Sequence, residues 1–134
     1  MNHKKHPRQR FRGLLSTPFV FSLIIPLVIL DIFLEIYHQI SFRLYDIPLV
    51  NRRDYIRMDR QKLKYLTFLE KIWCSYCGYA NGLLAYAVTI AGETEKHWCG
   101  IKHIKKGHED TFIEHPHQKN FLEYGDKEGY KQIK

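Results

Sequence analysis

The sequence predicts an all-α fold, with an N-terminal helix inserted in a membrane and a small helical domain held together by a Cys3His metal site. Three observations predict it: an uncharged apolar run near the N-terminus, apolar residues recurring every three to four positions further on, and the pattern Cys-x2-Cys…Cys-x3-His. A chain of 134 residues can build only a modest core. We therefore expect a membrane or a metal to help to stabilise it.

Composition divides the chain into four segments. Residues 1–106 hold 17 Lys and Arg against 8 Asp and Glu, whereas the remaining residues hold 4 against 6. A basic body favours contact with anionic lipid head groups or nucleic acid. The predicted segments are a basic arm (1–13), a hydrophobic membrane-associated helix (14–45), a helical metal-binding domain (46–106) and a polar, loosely ordered tail (107–134).

The uncharged run "LLSTPFVFSLIIPLVIL" at 14–30 is the candidate membrane segment. Its length is at the lower limit of the roughly 17–25 residues that cross a bilayer. Pro18 and Pro26 are expected to break or kink the helix. A buried core helix and a cleaved signal peptide are the alternatives, although no small-x-small cleavage site follows the run. Because basic residues flank it on both sides, a re-entrant or interfacial placement also stays open.

A polar stripe follows on the same predicted helix. Asp31, Glu35 and His38 are spaced at i, i+4 and i+7 and therefore share one face. The simplest interpretation is a stripe turned toward water or head groups. The alternative is a row of metal ligands, since Glu-x-x-His is the spacing of di-iron carboxylate bundles, although only one such pair is present here.

Two further helices are predicted after the connector. Asp59 is the expected cap of a helix over 60–73, which would present Cys74 at its C-terminal end. Asn81-Gly82 is a turn signal, and residues 83–91 are expected to form the next helix. Gly92 would then end that helix in left-handed geometry.

Cysteine spacing predicts the metal site. Cys74, Cys77, Cys99 and His103 supply three thiolates and one imidazole, the ligands of tetrahedral structural zinc sites; iron is the alternative metal. A straight helix across this interval would be roughly 30 Å long, so the shared site requires the chain to turn back at Gly92. Buried structural cysteines, a redox-active pair and a disulfide remain as alternatives.

Other titratable residues near the cysteines receive smaller roles. Glu70 lies one helical turn before Cys74, and Glu95 lies four residues before Cys99. Each could act as an additional metal ligand or as a hydrogen-bond acceptor for a ligand, but the favoured interpretation of each is a solvated surface carboxylate. Four histidines without fixed spacing are expected at the surface: His97, His108, His115 and His117.

The runs "YHQISFRLYDIPLV", "DYIRMDR", "CSYCGYANGLLAYA" and "HWCGIKH" resemble the shared core of a group of small bacterial proteins. The resemblance covers about half of the chain. It implies a bacterial source and brings no activity with it. The metal prediction therefore depends on residue types and spacing alone.

The expected function is that of a membrane-associated zinc or iron protein with a structural or partner-docking role, in contact with membrane lipid and a protein partner. Reduced thiolates require a reducing compartment, so we expect the bacterial inner membrane with the cysteine domain facing the cytoplasm. The first alternative is a metal-dependent oxidoreductase using the polar stripe with the cysteines. The second is a zinc-stabilised nucleic-acid binder using the basic residues of 52–64, which is less expected. No substrate is indicated.

Overall fold

The computed structural model describes residues 7–105, 107 and 111–133, and these confirm the all-helical prediction. Its α-helices are α1 (Pro7–Ser22), α2 (Ile24–Leu44), α3 (Phe68–Trp98) and α4 (Lys127–Ile133), with 3₁₀ turns at Arg52–Asp54, Arg60–Lys62 and Pro116–Asn120. Among the described residues the only extended pairing is a parallel bridge between Ile101 and Leu122. The chain divides into two compact units, Met1–Tyr86 and Ala87–Lys134.

Helices α1 and α2 together form the apolar segment. They meet at Leu23, and Pro26 lies in the first turn of α2. Proline has no N–H, so the bond that residue 26 would make to the carbonyl of Ser22 is missing, and the helix is interrupted there as expected. Pro18, in contrast, lies inside α1 without ending it.

In the part of the chain that the structure describes, one helical segment is long and apolar enough to cross a membrane. It covers Phe11–Leu44, 34 residues, and only 6% of its most apolar stretch is buried within the protein. The apolar side chains of this segment are therefore not accounted for by a protein core. This is the part of the membrane prediction that the structure supports.

The first unit has a small core between α2, α3 and the connector between them. Its buried side chains come from both helices: Leu27, His38, Phe42, Ala80, Leu83 and Tyr86. The ring of Phe21, near the end of α1, packs against Trp73 and Tyr76 in the first turns of α3, at centroid distances of 4.9 and 5.0 Å. Tyr76 also donates a hydrogen bond to the carbonyl of Val20, at 2.8 Å.

The prediction of two helices over this region is wrong, because α3 is continuous from Phe68 to Trp98. Residues 60–62 form only a 3₁₀ turn, and α3 begins after Thr67. The Glu70 carboxylate accepts bonds from the Thr67 N–H and hydroxyl, both at 2.9 Å, and the Thr67 hydroxyl faces the Glu70 N–H at 3.5 Å. This is a capping box, and it determines where α3 starts.

The sequence predicts turns at Gly82 and Gly92, but both residues lie inside α3, where a close contact explains the glycine. A Cβ on Gly82 would lie 2.7 Å from the carbonyl oxygen of Tyr55, and one on Gly92 would lie 2.8 Å from the ring of His117. Both positions bring another segment close to the helix backbone, where only glycine leaves enough space. Asn81 likewise stays within the helix and donates from Nδ2 to the carbonyl of Cys77, at 2.9 Å.

The second unit contains the end of α3 and the chain after it. Ile90 and Gln118 are buried here. Backbone bonds join the two sides of the parallel bridge, from Leu122 N–H to Gly100 and from Lys102 N–H to Leu122, both 2.8 Å long. The tail was expected to be loosely ordered, but its described residues include a 3₁₀ turn and α4; His108 lies outside the described residues.

Candidate functional site

The polar stripe of α2 faces the connector and α3. The guanidinium of Arg52 pairs with both carboxylate oxygens of Asp31, and the Nη2 to Oδ2 distance is 2.7 Å. Tyr79 donates its hydroxyl to the same Oδ2 at 2.8 Å. Arg52 also lies 3.7 Å from the carboxylate of Glu35. One arginine therefore lies against two of the three polar residues of the stripe.

A chain of hydrogen bonds continues the network through His38. The backbone N–H of Val50 donates to His38 Nε2 at 3.0 Å, so that nitrogen carries no proton. The remaining ring nitrogen, Nδ1, lies 2.9 Å from the Tyr86 hydroxyl. In the neutral ring Nδ1–H donates to Tyr86, which in turn donates to Glu35 Oε2 at 3.2 Å. This order fixes the histidine tautomer and the direction of each bond.

Burial affects the protonation of the side chains in this network. His38 and Tyr86 are each only 1% exposed. Burial and the neighbouring Glu35 carboxylate raise the pKa of Tyr86 to about 12, and burial with the hydrogen bond to Asp31 raises the pKa of Tyr79 to about 12. The bond to Asp31 also raises the pKa of the Arg52 guanidinium. Both tyrosines therefore remain protonated donors at neutral pH.

The expectation that the stripe faces water or head groups is therefore wrong, because its three side chains bind protein groups. Asp31 is half-buried and already engaged by Arg52 and Tyr79. A metal at Asp31 would require release of the guanidinium. The arrangement holds α2, the connector and α3 together, and it satisfies the charges of an apolar helix internally.

The four predicted metal ligands are distributed differently from the expectation. Cys74 and Cys77 lie within α3, one turn apart, and neither is at a helix end. Cys99 follows the last residue of α3, and the residues after it up to His103 are not helical. The side chains of Cys99 and His103 therefore do not share a helix face.

The turn that the four-ligand site requires does not occur at Gly92. Continuous α-helix rises 1.5 Å per residue, so the part of α3 between Cys77 and Trp98 is about 30 Å long. Among the described residues, no group of three or more His, Cys, Asp or Glu side chains is placed to hold a metal ion. The three cysteines are free thiols, and two of them, Cys77 and Cys99, are exposed.

The remaining predicted residues have structural partners. Glu70 caps α3, as described above. Glu95 accepts hydrogen bonds from His117 Nε2 and, at 2.7 Å, from Gln118 Nε2, and the bond to His117 lowers its pKa. His117 is therefore half-buried and paired, whereas the ring of the exposed His103 packs edge-on against Phe112.

Sequence reasoning missed four residues that organise the first unit: Thr67, Arg52, Tyr79 and Tyr86. The signal for Thr67 was present, since Thr-x-x-Glu before an apolar run is a capping box. Tyr79 and Tyr86 lie seven residues apart on α3, as do Asp31 and His38 on α2. Equal spacing on two helices indicates matching polar faces only once both are known to be continuous.

Comparison of the chain with protein-family models, with curated proteins and with solved structures finds no match.

Proposed function

We propose that the protein is a membrane-attached helical protein with a structural or partner-docking role, in which the segment Phe11–Leu44 lies in the bilayer. The observation that carries the proposal is the exposure of apolar side chains along this segment. Large exposed apolar side chains occur along its whole length: Phe11, Leu14, Leu15, Phe19, Leu23, Ile25, Val28, Ile29, Leu30, Ile32, Phe33, Ile36, Ile40 and Leu44. A continuous apolar surface of this size is a membrane or protein contact.

The polar network supports this placement. Charged side chains in a membrane helix are costly unless they are paired or face protein. Asp31 and Glu35 meet Arg52, and His38 accepts from a backbone N–H. The lipid-facing side of α2 is thus left apolar, while its polar side attaches the connector and α3. The segment consequently acts as the anchor of the first unit.

Basic residues of the connector favour the cytoplasmic side. The side chains of Arg53, Arg57, Arg60, Lys62 and Lys64 are exposed. Positive charge near a membrane segment is retained in the cytoplasm and attracts anionic head groups. Because the arm (1–13) is basic too, this charge also permits a re-entrant segment. Reduced thiolates need a reducing compartment, and we therefore propose the bacterial inner membrane with the cysteines facing the cytoplasm.

The two alternatives receive less support. An oxidoreductase built on the polar stripe would use carboxylates that Arg52 and Tyr79 already bind. A nucleic-acid binder would use the basic residues of 52–64, which form two short 3₁₀ turns joined by irregular chain, and of these Arg52 is engaged with Asp31. The remaining basic side chains suit a lipid surface equally well.

Fractionation of cells expressing the full chain tests the proposal. We expect the protein in the membrane pellet, resistant to a carbonate wash and released by detergent. Ile32→Lys, at a 55% exposed position on α2, should weaken this retention, since a lysine at membrane depth costs about 2.5–3.5 kcal/mol. Ile113→Lys, at an 83% exposed position in the second unit, is the matched control and should leave it unchanged.

Recovery of the wild-type protein in the soluble fraction without detergent would contradict membrane attachment. Orientation is measured separately, with a membrane-impermeant maleimide that labels the exposed Cys99. In spheroplasts we expect labelling only after permeabilisation. Labelling of intact spheroplasts would place the cysteines on the outer side.

A further inference from the structure

One face of α3 carries a seven-residue repeat and points away from the core. Cys74, Cys77, Asn81, Leu84 and Val88 follow one another at alternating steps of three and four residues. All except the half-buried Cys74 are exposed. At 100° per residue these positions lie on the side of the helix opposite the buried Leu83 and Tyr86.

This spacing is that of the a and d positions of a coiled coil. Asn81 and Val88 occupy a positions, and Leu84 occupies the d position between them. A β-branched residue at a with leucine at d favours two parallel strands, and a single asparagine at a fixes the register. The occupant that this face fits is therefore the same face of a second copy of the chain.

We propose that two copies pair in parallel through this face of α3, and that Cys74 and Cys77 of both copies form one tetrathiolate zinc site on the two-fold axis. In a parallel pair each a or d residue lies opposite its own equivalent. Cys74 takes the a position and Cys77 the next d position, so all four thiols meet in two adjacent layers. The site is incomplete in one chain, which contributes two ligands only.

The spacing of the thiols suits a metal. Residues three apart on a helix have Cβ atoms about 5–6 Å apart. Zinc binds thiolate sulfur at about 2.3 Å, so sulfurs on one tetrahedral ion lie within roughly 4 Å of one another. One additional bond from each Cβ brings the sulfurs into this range.

This inference goes beyond membrane attachment and does not depend on it. It also replaces the four-ligand arrangement that the sequence indicated, because it needs neither a turn in α3 nor Cys99 and His103. The thiols remain on one uninterrupted helix, as observed.

The test uses the full chain, purified in mild detergent with zinc as the probe metal. We expect about one zinc ion per two chains and a dimeric mass after correction for detergent. Cys74→Ser or Cys77→Ser should lower zinc content at least about tenfold. Cys99→Ser is the matched control and should retain zinc.

A second variant tests the pairing surface without touching a ligand. Leu84→Arg replaces an exposed side chain at the d position, so the chain should keep its helix content while losing both the dimer and the zinc. Leu69→Arg, also exposed on α3 but outside the repeat, should keep both. In the zinc-free wild-type protein, oxidant should link Cys77 to Cys77 of the second copy, as parallel register requires.

Zinc at one ion per chain in a monomer would overturn the proposal, and so would equal loss of zinc in Cys99→Ser. A dimer that persists in Leu84→Arg with its zinc would also overturn it. Absence of zinc and of the Cys77 cross-link from a folded wild-type protein would have the same meaning. None of these results would bear on whether the protein pellets with membranes.

Discussion

Asp31 and Arg52 are 21 positions apart in the chain, and their side chains meet in a two-pronged ion pair that joins α2 to the connector. Tyr79 of α3 donates to the same carboxylate. Three segments of the first unit therefore converge on one half-buried carboxylate. Hydrogen bonds to a charged group contribute about 1.5–3 kcal/mol each when they are shielded from water.

We predict that Asp31→Asn or Arg52→Gln lowers the free energy of unfolding in detergent by about 1–3 kcal/mol. Each change leaves the other charge without its partner. The double variant should lose less than the sum of the two single losses, because the shared interaction can be removed only once. Denaturant unfolding followed by circular dichroism measures all three.

Arg53→Gln is the control for that cycle, since Arg53 is exposed and adjacent to Arg52. It should change stability by less than about 0.5 kcal/mol. Strict additivity of the Asp31 and Arg52 losses would show that the pair is not formed.

The second prediction concerns alkaline pH and Tyr86. The pKa of Tyr86 in the folded protein is about 12, raised from 10.0 in the unfolded chain. Because the folded pKa is the higher one, the stabilisation is fully present below pH 10 and is lost as the pH rises toward 12. A shift of this size corresponds to roughly 3 kcal/mol at most. Tyr86→Phe should remove this pH dependence.

The measurement is the difference in unfolding free energy between wild type and Tyr86→Phe at about pH 8 and about pH 11.5. The difference should shrink at the higher pH, and subtraction cancels the titration of lysines and other tyrosines. Tyr65→Phe, at an exposed position, should show no such change. A constant difference across this range would mean that the Tyr86 hydroxyl is not buried in the network.

The apolar segment and the helical class could be predicted because they depend on local composition. The uncharged run at 14–30 and the missing N–H of Pro26 affect only residues within one or two helical turns. Their effects can therefore be predicted from neighbouring residues alone. The structure has the apolar helical segment at Phe11–Leu44, where the sequence predicts one over 14–45. Asp31 and Glu35 do not end it, because they are paired with Arg52 of the first unit.

The continuity of α3 could not be predicted from local signals. Glycines such as Gly82 and Gly92 are used both at turns and at close backbone contacts, and only the segments that approach them decide between the two. Tyr55 approaches Gly82, and His117 approaches Gly92. The predicted four-ligand metal site required a turn at Gly92, and the structure has continuous helix at that position.

The third prediction concerns acid pH and the second unit. The hydrogen bond from His117, with that from Gln118, lowers the pKa of Glu95 below its ordinary 4.5. Because the folded pKa is the lower one, the stabilisation is present above pH 4.5 and is lost as the pH falls through the folded value. Glu95→Gln should therefore cost about 1 kcal/mol near neutral pH and little in strong acid.

Unfolding of the second unit at several pH values checks this, with amide hydrogen exchange over 87–105 as the readout. Glu128→Gln is the control, because the pair between Glu128 and Lys131 is largely exposed. Equal effects of Glu95→Gln at neutral and strongly acid pH would contradict the paired carboxylate.

The last prediction tests the close contact between the connector and α3. Alanine is about 1 kcal/mol better than glycine inside a helix, so helix propensity alone predicts that Gly82→Ala stabilises the protein. The added Cβ, however, would lie 2.7 Å from the carbonyl oxygen of Tyr55 and 2.9 Å from the Cα of Ile56. Backbone atoms cannot move away by a rotamer change as a side chain can, so we expect a net loss in the free energy of unfolding of about 1–3 kcal/mol.

Gly13→Ala is the matched control in α1, where a Cβ would meet nothing within 4 Å, and it should be neutral or stabilising. Denaturant unfolding of both variants in detergent measures the contrast. If Gly82→Ala were as well tolerated as Gly13→Ala, the connector would not lie against α3.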